Sequence, residues 1–134
     1  MGRKILVVDD DAYVQEYIRK CLENWGYTCT GCDNGHDVIA KVTENPPDLI
    51  LLDVMLPDMD GITICRRLRS NPKSSHIPII MVTSLTDATT IHDAHLFGAA
   101  DYLPKPFEID VLKSKVEKML ALNPAKPDKN LPDS

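Results

Sequence analysis

DLILLDVMLPDMDG, residues 48–61, contains an unbroken apolar run from Leu49 to Leu52 that stops at Asp53. A strand with one wet face alternates apolar and polar side chains, whereas a strand covered on both faces reads as a continuous apolar run. The stretch therefore predicts a strand sandwiched between two layers, with a carboxylate at its carboxyl end. The same pattern recurs upstream, where Ile5-Leu6-Val7-Val8 runs into Asp9-Asp10, and downstream, where Ile79-Ile80-Met81-Val82 runs into Thr83. A shorter run reaches Lys105.

The segments between these runs supply helices. Val14, Tyr17, Ile18, Cys21, Leu22 and Trp25 recur at steps of three and four, which predicts an amphipathic helix over about 12–24 that Gly26 stops. A strand is expected at 27–31, then a turn at Asp33-Asn34-Gly35 into a helix carrying Val38, Ile39 and Val42 inward. Pro46-Pro47 ends that helix, and Pro57 and Gly61 mark the turn into the next, which bears Ile64, Cys65 and Leu68. The fourth strand follows from about Ile77. Thr86 is the expected N-cap of the fourth helix, with Asp87 in its first turn, and Gly98 its stop. A strand at 100–103 precedes Pro104, which suits an edge strand, and Ile109, Leu112, Val116, Met119 and Leu120 define the last helix. Five β-α units in succession give an α/β fold with a five-stranded parallel sheet and helices on both faces.

A chain of 134 residues supports one core and leaves little room for a second. Residues 1–122 are expected to form one domain, and 123–134, punctuated by Pro124, Pro127 and Pro132, a flexible tail or truncated linker. The formal charge of −5 argues against a phosphate-backbone binder, so this domain is expected to make no direct contact with nucleic acid. Neither a signal peptide nor a membrane span fits the short apolar stretch at the amino end, which predicts a cytoplasmic protein without a membrane partner. Cys21 and Cys65 are expected in the core. Cys29 and Cys32 form a C-x-x-C without the second ligand pair a zinc site needs, and His92 and His95 are assigned no site.

In a parallel sheet the carboxyl ends share one edge, so Asp9, Asp10, Asp53, Thr83 and Lys105 converge in a single crevice. Three adjacent carboxylates repel unless a cation intervenes, and hard oxygen donors favour magnesium, with manganese as an alternative. An aspartate can attack phosphorus to form an acyl phosphate, while an ammonium such as Lys105 and a hydroxyl such as Thr83 meet charge on the equatorial oxygens. Each residue taken singly has a plainer reading: acids cap helices, threonines end strands and lysines are solvated.

Together the segments KILVVDDD, DLILLDVMLPDMDG, PIIMVTS and GAADYLPKPF resemble the receiver domain of two-component response regulators over Lys4 to about Leu122. The resemblance implies the flavodoxin-like strand order 2-1-3-4-5, with Asp53 as phosphoacceptor. It further implies Mg2+ held by Asp10, Asp53 and the backbone carbonyl of Met55, with Asp9 acting mainly through water. Thr83 would bond the phosphoryl group and Lys105 pair with it; Lys105-Pro106 would be a cis peptide; Tyr102 would be an aromatic switch coupled to Thr83. The implied partners are a sensor histidine kinase or phosphotransfer protein, whose specificity would reside mainly on the first helix, with Gln15, Arg19 and Glu23 as the exposed candidates. A homodimer through the face of the fourth helix, fifth strand and fifth helix is a further implied partnership. Such a domain catalyses only its own phosphorylation and dephosphorylation. Met55 and Leu85, both apolar, occupy positions that tune hydrolysis in relatives and imply a slow loss of the phosphoryl group.

Two other readings compete. Asp9-Asp10-Asp11 contains the Asp-x-Asp of haloacid dehalogenase-type phosphatases, with Asp9 attacking and Asp11 as the acid, although Tyr13 stands where that family has Thr or Val. A receiver-like module that binds partners without phosphorylation is the second. A calcium loop on Asp58, Asp60 and Gly61 fails because Leu56 and Arg67 stand where it needs carboxylates.

Overall fold

The computed structural model describes residues 2–123. Strands β1 (Lys4–Val8), β2 (Thr28–Cys32), β3 (Leu49–Leu52), β4 (Ile79–Thr83) and β5 (Asp101–Pro104) alternate with helices α1 (Ala12–Asn24), α2 (Gly35–Glu44), α3 (Gly61–Arg69), α4 (Ala88–Leu96) and α5 (Ile109–Leu122). All pairings are parallel and the strand order is β2-β1-β3-β4-β5, the flavodoxin-like order. β5 is an edge strand, which accommodates Pro104.

The continuous apolar runs mean what they predict: alternate residues serve opposite layers. Leu6, Val8, Ile50, Leu52, Ile79 and Met81 pack with α2, α3 and α4. Ile5, Val7, Leu49, Leu51, Ile80 and Val82 pack with Ile18 and Leu22 of α1 and Leu112 and Val116 of α5. Burying each such side chain contributes about 1.5–3 kcal/mol, so β1, β3 and β4 anchor both halves of the core. On β5 the division falls between neighbours, Tyr102 facing the α2-α3-α4 layer and Leu103 the α1-α5 layer.

Several boundaries move for identifiable reasons. β2 starts at Thr28, because Tyr27 N–H bonds Leu22 O at 3.0 Å and Gly26 N–H bonds Glu23 O at 3.0 Å, closing α1 with Gly26 at φ +94°. Gly98, at φ +108°, closes α4 in the same way. β4 begins at Ile79, since Ile77 N–H is used by the preceding turn at Ser74 O. β5 begins at Asp101 rather than 100 and includes Pro104. Asp87, not Thr86, caps α4, for its two oxygens accept from both the amide and the hydroxyl of Thr90. Asn123 is the C-cap of α5 and bonds Met119 O, so it belongs to the domain; the remainder of the expected tail lies outside the described residues.

Cys65 is buried, whereas Cys21 is only half-buried. Cys29 packs toward the α1-α5 layer and Cys32 toward the other, so the C-x-x-C pair straddles the sheet and forms no joint site. Burial pushes the thiols of Cys29 and Cys65 up to about 11, with Glu23 adding to the effect at Cys29. Two units above the ordinary value lower the thiolate fraction about 100-fold at neutral pH. Native protein at pH 8 should therefore be alkylated by iodoacetamide at Cys29 and Cys65 far more slowly than the urea-unfolded chain. Equal rates by peptide mass mapping would contradict this.

Candidate functional site

The crevice forms where β1, β3, β4 and β5 end. Asp9 and Asp53 are buried, 2% and 6% exposed, while Asp10 is exposed, and one oxygen of each lies within 4.8 Å of the others. The sheet fixes two of the three by backbone bonds: Asp9 N–H donates to Cys32 O and Asp53 N–H to Val8 O, each at 3.0 Å. Asp9 Oδ1 accepts from Asp11 N–H at 2.9 Å, and Asp53 Oδ1 from Met55 N–H at 3.1 Å.

Lys105 enters from the end of β5 and donates its ammonium to Asp9 Oδ2 and to Asp53 Oδ2, the latter at 2.9 Å. Burial pushes the Asp9 carboxyl above its ordinary value, opposed by the hydrogen bonds from Lys105 and Asp11. Burial alone lowers the Lys105 ammonium, but its bonds to Asp9 and Asp53 outweigh this and hold it above its ordinary value. A single ammonium thus partly offsets three carboxylates. The donor set, hard and crowded, fits a divalent cation of the magnesium class.

Thr83 is fully buried, with its hydroxyl oxygen accepting from Leu85 N–H at 3.3 Å. Tyr102 sits inward among the α4-side core, 8% exposed, and its buried hydroxyl has no hydrogen-bond partner among the described residues. A tyrosine on an edge strand ordinarily keeps its hydroxyl in water; here the hydroxyl is withdrawn from it. The Lys105-Pro106 peptide bond is cis.

The first helix needs correction. Gln15 donates its amide to Asp9 O and Cys32 O, both at 3.0 Å, so it brackets the β1-α1 and β2-α2 loops instead of standing free. Arg19 is half-buried and only Glu23 is fully outward. Tyr17, expected inward, is 53% exposed, and Tyr13 is 86% exposed. With Val14, Pro106 and Phe107 they line a cleft of about 480 Å³ beside Lys105. Asp11 caps α1 through Tyr13 N–H and Val14 N–H, Asp60 caps α3, and Asp58 bonds amides at the start of α2. Asp11 and Asp60 serve amides two or three residues further along the chain, whereas the two amides that Asp58 serves are 23 and 22 residues away and could not be read from local sequence.

The response regulator receiver domain family model matches residues 5–117. The chain is 39% identical over 127 residues to the DNA-binding response regulator MtrA of Mycobacterium tuberculosis, covering 95% of this chain and 54% of that protein. It is 34% identical over 117 residues to the DNA-binding transcriptional regulator NtrC of Salmonella typhimurium, covering 87% of this chain and 24% of that one. The chain thus spans about half the length of MtrA and a quarter of NtrC. A crystal structure of a response regulator from Chloroflexus aurantiacus superposes with a TM-score of 0.87 at 36% identity, covering 90% of this chain and 99% of that one.

Proposed function

Because the chain belongs to the response regulator receiver domain family, we propose that Asp53 is its phosphoacceptor and that Asp10, Asp53 and the Met55 carbonyl hold Mg2+, or Mn2+, with Asp9 assisting through water. The observation that carries this is the buried Asp53 carboxylate at a strand end, joined by Lys105 and clustered with two further acids. The phosphatase reading is not favoured: Asp11, its required acid, is engaged in capping α1.

A bound cation would screen the acids and draw charge from the phosphoryl oxygens. An Asp53 oxygen forms a bond to phosphorus as the P–N bond of a phosphohistidine breaks, and the departing imidazole takes up a proton. Lys105 trades its bond to Asp53 for one to a phosphoryl oxygen, and the Thr83 hydroxyl donates to another. The product is stored as an acyl phosphate. Receiver domains of this family work with histidine kinases; here a sensor kinase or phosphotransfer protein presents its histidine against the Tyr13-Tyr17-Phe107 cleft. No helix among the described residues is long and apolar enough to cross a membrane.

Movement of Thr83 toward the phosphoryl group is coupled in this reading to a shift of the Tyr102 ring, which lies on the α4 side of the sheet. A buried hydroxyl without a partner costs about 1–3 kcal/mol, which favours a second position where it reaches water. The α4-β5-α5 surface, where Lys115 pairs with Asp101 at 3.0 Å, reads that change and can serve a second copy.

Incubation with acetyl phosphate and Mg2+ should add one phosphoryl mass to the intact chain; an unchanged mass would overturn the proposal. Met55 is exposed and apolar at the rim and Leu85 is half-buried, so hydrolytic water is poorly ordered. The modified mass should persist for minutes or longer at neutral pH with Mg2+; decay within seconds would refute the slow-hydrolysis reading.

A further inference from the structure

We infer that Asp58 is a positioning residue that docks the β3-α3 loop, and with it the Met55 carbonyl, onto the first turn of α2. Four amides at a helix start lack intrahelical partners. In α2 the N-cap Asn34 accepts only from Asp37 N–H, at 2.9 Å. The amides of Gly35 and His36 are satisfied from another element: Asp58 Oδ1 accepts from the first at 2.7 Å and Oδ2 from the second at 3.0 Å. His36 Nε2 also stands 3.7 Å from Oδ2.

A second, independent observation marks the same docking. A Cβ on Gly35 would lie 2.9 Å from Met59 Cβ and 3.1 Å from Ile64 Cδ1, so the loop approaches α2 as closely as a residue without a side chain permits. The ends of the loop are fixed otherwise, by Asp53 in the sheet and by the Gly61 N–H bond to Val54 O at 2.8 Å. Between them, Asp58 pins the middle through both carboxylate oxygens. Pro57, with φ locked by its ring, makes the link from Asp58 back toward Met55 stiff. The placement of a backbone carbonyl in the cation site therefore depends on a helix that contributes no ligand to it.

The inference rests on the proposed cation site, and the experiment separates the two. Mg2+ affinity is measured by isothermal titration calorimetry, and amide exchange over 54–59 by mass spectrometry in metal-free protein. Asp58→Ala should weaken Mg2+ about 10-fold, the scale on which groups behind metal ligands act. It should also accelerate exchange in the loop. Gly35→Ala should shift both readouts in the same direction from the opposite partner, and Asp58→Asn, which keeps one acceptor, should lie between. Asn34→Ala removes the other cap of the same helix and should lower the melting temperature while leaving Mg2+ affinity within about twofold of the unmutated chain. Unchanged affinity and exchange in Asp58→Ala and Gly35→Ala, or equal weakening by Asn34→Ala, would overturn the inference. Absence of Mg2+ binding by the unmutated chain would instead overturn the cation site, and loop exchange would still decide the role of Asp58.

Discussion

Replacement of Asp53 by asparagine is expected to abolish phosphorylation by acetyl phosphate, so that intact mass stays unmodified under conditions that convert the unmutated chain. The amide is nearly isosteric, but it cannot supply the anionic oxygen that attacks phosphorus. Folding should survive the change. Asp53 N–H still meets Val8 O, and the like charge that Asp53 imposes on Asp9 disappears. Lys105 then serves one carboxylate instead of two. The melting temperature in the absence of Mg2+ should accordingly be equal to or higher than that of the unmutated chain, which separates loss of chemistry from loss of structure. The same variant judges the phosphatase alternative: turnover of a phosphomonoester that survives Asp53→Asn and is lost in Asp9→Asn would move the nucleophile from β3 to β1.

Gly61→Ala is expected to cost about 3 kcal/mol of stability through overpacking, on the order of 10 °C in Tm for a domain this size. An added Cβ would lie 2.4 Å from Asp53 O, 2.9 Å from Val54 Cα and 3.0 Å from Asp53 C, all backbone atoms that cannot rotate aside. The cost is one of contact and not of conformation, for Gly61 is the first residue of α3. Helix propensity alone would make alanine there favourable by up to about 1 kcal/mol. A variant as stable as the parent in thermal denaturation would therefore sink the argument. The displaced backbone carries the proposed phosphoacceptor, so the rate of modification by acetyl phosphate should fall as well, whereas a cap loss confined to α3, such as Asp60→Ala, should lower stability and leave that rate little changed.

What could be read from the sequence was what local covalent order controls. Apolar runs without alternation identified β1, β3 and β4, and because parallel strands share an edge, Asp9, Asp10, Asp53 and Lys105 lie together. What escaped was the division of labour among the acids. Asp9, Asp10 and Asp53 cluster, while Asp11, Asp58, Asp60 and Asp87 accept from helix amides. All are short carboxylates in the segments that lead from a strand to the next helix, and their roles depend on where unpaired N–H groups lie. For Asp58 those groups are 22 and 23 residues away. Tyr17 was misplaced for a related reason: its spacing fits the buried stripe of α1, but the end of that stripe nearest Lys105 is left uncovered by the sheet.

The edge position of β5 has a consequence for any partner that would dock there. Tyr102 and Leu103 are neighbours that belong to different layers, and α4 and α5 flank them from either side. A partner spanning this edge touches both halves of the molecule at once. It therefore senses their displacement relative to each other, as a differential gauge does, and is blind to movements the two halves share. Thermal breathing of the whole domain cancels at such a surface; a shift driven from one side of the sheet does not.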